Sequence, residues 1–210
     1  MSYDSSNTVG YFDPHEPIAA LSGNLPHWRQ EDVTYFITFR LADSLPQVKL
    51  DLWRRERDDW LARHPEPHDY VLRKDYHERF VERFQKWLDA GYGECVLKRP
   101  EVRGVVAEAL KHFVDSRYAL REWTVMPNHV HVIVTPIAGY DMSDILHSWK
   151  SYTANKLNRL LGRSGTLWQK ETFDHIVRSP DGLERIEHYI HENPRFLSAD
   201  QFTLHCLHTK

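Results

Sequence analysis

Two histidines one residue apart, His129 and His131, stand in the run Met126-Pro127-Asn128-His129-Val130-His131-Val132-Ile133-Val134-Thr135-Pro136. Side chains of a strand alternate sides, so His129, His131, Ile133 and Thr135 share one face and Val130, Val132 and Val134 the other. Imidazoles that point the same way can hold a metal ion together or meet a phosphate. A bare His-x-His is more often two polar residues facing water. The Pro-Asn turn before this one and the β-branched run around it favour a built pair, which still needs a third ligand.

A second pair lies downstream. Tyr189 and Asn193 are four residues apart in a stretch with helical character, and so sit on one side of a helix,. Tyr189 offers a phenol oxygen that can act as a nucleophile, and Asn193 a carboxamide oxygen. Two imidazoles and one carboxamide oxygen leave positions open on a hard divalent cation, Mg²⁺ or Mn²⁺, which can polarise a phosphate for attack by the tyrosine. Taken singly, the plainer readings prevail: Tyr189 as a half-buried aromatic, Asn193 as a helix cap before Pro194.

Five ordered blocks change that balance. They are Met126-Pro127-Asn128-His129-Val130-His131, Trp149-Lys150-Ser151-Tyr152-Thr153, Leu167-Trp168-Gln169, Phe173-Asp174-His175 with Arg178, and Tyr189-Ile190-His191-Glu192-Asn193-Pro194. Together they resemble the REP-associated tyrosine transposases, members of the one-tyrosine HUH nucleases, where U is a bulky apolar residue. The resemblance covers the first strand and then residues 100 to 197. It implies a metal-dependent nuclease and strand transferase acting on single-stranded DNA that carries a hairpin. His129 and His131 are then the HUH pair, Asn193 the third metal ligand, and Tyr189 the nucleophile that becomes linked to a 5′ phosphate while a 3′ hydroxyl leaves. The protein is expected to work as a monomer or homodimer, with no membrane partner.

Tyr152 is the competing nucleophile. It aligns with a position that relatives fill with Phe and falls at the apolar spacing of its helix, so a structural aromatic is expected there. Between Ile145 and Lys170 there is no Asp or Glu, while Lys150, Lys156, Arg159 and Arg163 fall in the same interval. With Arg178 they are assigned to phosphate contacts. Trp168 can stack on a base or fill the core.

The elements that must position these groups can be read in order. Residues 1 to 32 show no period and are read as an irregular arm. Residues 33 to 41 are β-branched and aromatic, a first strand. Leu45 to His64 and Tyr70 to Ala90 read as two amphipathic helices, separated at Pro65-Glu66-Pro67, within an insertion at about 44 to 92. A helix opens at Pro100 and ends near Asp115, with Val102, Val105, Val106, Ala109, Leu110 and Phe113 as its stripe. Tyr118 to Val125 pairs with the histidine strand as a hairpin. The next helix starts at Asp141 to Asp144, carries Ile145, Leu146, Trp149, Tyr152, Leu157, Leu160 and Leu161 inward, and stops at Gly162. A last strand covers about 173 to 178. Ser179 caps a helix that begins at Pro180, buries Leu183, Ile186 and Ile190, and ends at Asn193 because Pro194 follows. Residues 195 to 210 show no usable pattern.

Strand, helix, strand, strand, helix, strand is the ferredoxin-like order: an α+β fold with an antiparallel sheet and both helices on one face. The all-valine face takes those helices, and the extra C-terminal helix lies across the histidine face. The whole chain is read as one domain.

Composition bounds the rest. The 210 residues are 41% hydrophobic and 12% aromatic, ample for a core,. Two cysteines far apart exclude a disulfide framework,. No apolar run reaches membrane-spanning length and the start is polar, so a cytoplasmic protein is expected. A net charge of −3 argues mildly against nucleic acid, against which the basic segment from 145 to 170 stands out,. Among rivals, the histidine-triad nucleotide hydrolases need a third His where Ile133 stands. A hairpin-binding protein without catalysis is the remaining alternative.

Overall fold

The computed structural model describes residues 9–17, 19–21, 27–65 and 68–207. The chain divides into two compact units, Asp43–Cys95 and the remainder. The larger unit is built on a five-stranded antiparallel sheet in the order β6-β3-β5-β4-β7. Its strands are β3 (Tyr35–Arg40), β4 (Tyr118–Val125), β5 (His129–Pro136), β6 (Phe173–Ile176) and β7 (Thr203–His205). The first four follow the ferredoxin-like arrangement, and β7 is added at the β4 edge. The added strand falls in the tail that shows no sequence pattern, because three residues are too few to display a period of two.

Helices α4 (Pro100–Lys111) and α5 (Met142–Leu160) cover one face. Val102, Val106 and Leu110 of α4 and Ile145, Trp149 and Leu157 of α5 join Val130, Val132 and Val134 in the main core, so the valine face is the covered one. Asp141 caps α5 by accepting from the Ser143 N–H at 2.6 Å,. Along α5 the buried positions are 142, 145, 149, 153 and 157, and this corrects the expected stripe. Thr153 takes the inner position because its hydroxyl donates to Trp149 O at 2.6 Å and accepts from Trp168 Nε1 at 2.8 Å. Tyr152 and Leu160 therefore turn outward, each 49% exposed.

Helix α6 (Pro180–Glu192) lies on the opposite face. Ser179 Oγ accepts from Gly182 N–H at 3.1 Å, and Leu183 and Ile190 pack with Phe36, Ile133 and Val177 in a second cluster that Ile186 and Tyr189 border. In the arm, β1 (Ala19–Leu21) pairs antiparallel with β2 (His27–Arg29), which the aperiodic sequence does not announce.

The smaller unit is helical: α1 (Gln47–Arg63), α2 (Tyr70–Tyr76), a π-helical stretch His77–Glu82, and α3 (Arg83–Asp89). It has an aromatic centre, in which Trp53 Nε1 donates to Phe80 O at 3.0 Å and Trp60 Nε1 to Asp75 Oδ2 at 2.9 Å. Among the described residues no helix is long and apolar enough to cross a membrane.

Candidate active site

Strand β5 runs between β3 and β4, so the residues flanking His131 are fixed by register: Thr38 of β3 on one side and Thr124 of β4 on the other. Both histidines are fully buried. Each has its Nδ1 engaged: that of His129 lies 2.7 Å from Asn128 Oδ1, and that of His131 lies 2.7 Å from Thr38 Oγ1. A carboxamide oxygen only accepts, so His129 Nδ1 carries the proton and its Nε2 presents a lone pair. The two Nε2 atoms converge at 3.0 Å. The His131 ring is held from behind by Phe36, stacked at 5.5 Å with 22° between the planes.

Burial lowers the His129 pKa to about 3 and takes that of His131 well below its ordinary value, with the neighbouring His129 adding to the effect,. Both rings are thus neutral at physiological pH, the state in which imidazole binds a metal.

Helix α6 brings the other pair to the same point. Its apolar stripe lies on Phe36 and Ile133, which turns Tyr189 and Asn193 toward His131. Tyr189 Oη is 3.3 Å from His131 Nε2, and Asn193 Nδ2 is 3.5 Å from it. The Tyr189 ring meets that of His131 edge-on at 5.1 Å and that of Phe36 at 6.1 Å. Asn193 closes the helix, its N–H bonded to Tyr189 O at 3.0 Å. Rotating the carboxamide by half a turn places Oδ1 where Nδ2 stands, so the asparagine can present oxygen to the same centre.

This donor set fits a divalent ion. Two neutral imidazole nitrogens 3.0 Å apart, beside a carboxamide that can turn its oxygen to the same point, are donors that would hold such an ion,. The Thr38 hydroxyl, able to donate or accept, suits either condition of the site. It donates to Nδ1 when His131 carries its proton on Nε2, and accepts when Nε2 must offer a lone pair.

The basic segment lies elsewhere. Because α5 covers the valine face, Lys150, Lys156 and Arg159 belong to the side of the sheet opposite the histidines. Lys150 Nζ donates to Gln169 O at 2.6 Å, Lys170 O at 3.0 Å and Thr172 Oγ1 at 3.3 Å, so its three protons hold the loop before β6. Burial, and then Arg40, lower its pKa to about 8. Trp168 is 4% exposed and edge-packed on Phe39 in the main core. Lys156 is exposed with Nζ 3.1 Å from Tyr152 Oη, and Arg159 is exposed, Arg163 half-buried. Arg178, exposed, has its guanidinium 5.3 Å from the Phe12 ring centre.

Sequence reading overlooked Thr38, Asn128 and Phe36. The alternation of β3 offers a signal for two of them, since Tyr35, Ile37 and Phe39 enter the main core and leave Phe36 and Thr38 on the histidine face,.

No curated protein matches the chain. A solved structure of a REP-associated tyrosine transposase bound to a REP hairpin is similar at 15% identity, with a TM-score of 0.39, over 90% of this chain and 74% of that one. The family model described as transposase IS200 like matches residues 94–193. That stretch contains His129, His131, Tyr189 and Asn193, and over it the chain is similar to the IS200-like transposases.

Proposed function

We propose that the protein is a metal-dependent single-stranded DNA endonuclease and strand transferase that cuts at hairpin-bearing sequences through a 5′-phosphotyrosine intermediate. The observation that carries the reading is the convergence of the Tyr189 hydroxyl, 3.3 Å from His131 Nε2, on a neutral pair of histidines whose Nε2 atoms face each other. His129, His131 and Asn193 are the residues that would hold Mg²⁺ or Mn²⁺, which when bound supplies Lewis-acid polarisation of the phosphate.

The chain's own groups do the rest. Tyr189 Oη loses its proton and forms the new bond to phosphorus, the bond from phosphorus to the 3′ oxygen breaks, and that oxygen takes up a proton to leave as a 3′ hydroxyl. The phosphotyrosine link conserves the energy of the broken bond, so a 3′ hydroxyl can attack it and rejoin DNA without a nucleotide cofactor. An unpaired strand lets the phosphate come in line with Tyr189, and a hairpin beside it gives a shape to hold. Lys156, Arg159, Arg163 and Arg178 are the phosphate contacts in this reading. The protein acts in the cytoplasm as one transposase domain with the helical unit inserted, as a monomer or homodimer.

A hairpin strand incubated with the protein and Mn²⁺ should be cut to a fragment with a free 3′ hydroxyl, and the His131→Ala variant should leave it whole. Equal cutting by the variant rejects the site. A wild type that binds the hairpin and never cuts it makes the protein a binding protein only.

A further inference from the structure

Strand β4 pairs regularly with β5 at Tyr118↔Pro136, Ala119↔Thr135 and Leu120↔Val134, and resumes at Trp123↔Val132. Arg121 and Glu122 therefore stand together against the single residue Ile133, a β-bulge,. The extra residue keeps Leu120 and Trp123 both in the main core, where strict alternation would separate them. It leaves two consecutive charged side chains turned toward α6. Arg121 Nη2 donates to Glu187 Oε1 at 2.8 Å, and Glu122 Oε2 lies 2.9 Å from His191 Nε2. Glu187 and His191 are one helical turn apart. The strand partners keep only 13% (Arg121) and 8% (Glu122) of their side-chain surface, so charge matching matters more here than on open surface,.

We infer that Arg121 and Glu122 are positioning residues that lock the register of α6 over the histidine pair, and with it the approach of Tyr189 to His131. This rests on the reading of Tyr189 as the nucleophile. The apolar stripe cannot set the register by itself. Leu183, Ile186 and Ile190 recur at intervals of three and four, so a slide of one turn puts one aliphatic side chain where another stood,. The charges break that degeneracy. A slide in one direction sets Glu187 against Glu122 and Leu183 against Arg121. In the other direction Arg121 loses its carboxylate and meets His191. Only the observed register sets a carboxylate against Arg121 and an imidazole against Glu122,. One turn is about 5.4 Å of travel. That distance would remove Tyr189 and Asn193 from contacts of 3.3 Å and 3.5 Å.

The test is charge reversal. Arg121→Glu, Glu187→Arg and the double variant are compared with wild type by two readouts: the nuclear Overhauser contact between the Tyr189 and His131 rings, and the rate of covalent adduct formation with a hairpin strand in Mn²⁺. Each single reversal should lose the contact and slow the adduct by about 10²-fold, the usual effect of misplacing a reacting group. The double reversal should restore both, which a merely structural loss would not do. Where a reversal does not fold, Glu187→Gln removes the charge and keeps the shape, and carries the same comparison. The inference is overturned if both single variants keep the ring contact, or if a folded double variant is no better than the singles. If the contact follows the charges but no protein forms an adduct, the register lock stands and the nucleophile reading fails.

Discussion

Thr38 and His131 face each other across the β3–β5 ladder, and their hydrogen bond, 2.7 Å from Oγ1 to Nδ1, decides which nitrogen of the imidazole is left to the site. The same task falls to Asn128 for His129, at 2.7 Å. Partners of this kind fix ring orientation and tautomer, and their loss typically weakens metal binding by about 10- to 100-fold. Thr38→Val keeps the shape and removes the hydroxyl. It should reduce Mn²⁺ affinity by that factor in calorimetry, leaving the far-ultraviolet circular dichroism unchanged. Unchanged affinity would remove Thr38 from the account.

Acid should destabilise the metal-free protein through the same histidines. Their folded pKa values lie below the ordinary 6.5, at about 3 for His129 and well below normal for His131. Between 6.5 and about 3 the unfolded chain binds protons that the folded one refuses, so stability is full above pH 6.5 and falls as pH drops through that window,. The slope approaches about 1.4 kcal/mol per pH unit for each ring. Urea unfolding in a chelator between pH 7 and pH 5 measures it, and His129→Gln with His131→Gln should flatten the dependence. A wild-type curve as flat as that of the double variant would contradict the burial of neutral rings.

Lys150 and Lys156 should part company. With Nζ on two carbonyl oxygens and Thr172, Lys150 is a loop clamp, and Lys150→Met should cost about 1–3 kcal/mol of stability in urea unfolding,. Lys156→Ala should leave stability nearly unchanged and, as a lost phosphate contact, lower the salt slope of hairpin binding by about one. The reverse pattern would mean that Lys150 is the DNA contact.

The elements long enough to show a period were legible in the sequence. The eight residues of β5 alternate cleanly, and the 13 residues of α6 carry a capping serine, a first-turn proline and a terminating Pro194. Their crossing was not legible, because the register of a helix on a sheet depends on contacts such as Arg121–Glu187 that come from residues 66 positions apart. The strands β1, β2 and β7, of three residues each, are fixed by pairing alone. Tyr152 misled because positions 152 and 153 are neighbours on the helix surface, and only packing selects the one that faces inward. The side of the sheet that carries the basic segment was legible from the all-valine face of β5, whereas the use of Lys150 as a clamp on the loop before β6 depends on carbonyl groups that only the fold brings to it.

The central claim, that Tyr189 is the nucleophile, is tested most directly by identifying the residue that becomes joined to DNA. The protein is incubated with a single-stranded hairpin substrate and Mn²⁺, denatured and digested, and the DNA-bearing peptide is sequenced by mass spectrometry. Tyr189 lies 3.3 Å from His131, whereas Tyr152 is half exposed on the helix that covers the opposite face. The adduct should therefore map to Tyr189, vanish in Tyr189→Phe and persist in Tyr152→Phe. An adduct that survives Tyr189→Phe and disappears with Tyr152→Phe would contradict the assignment.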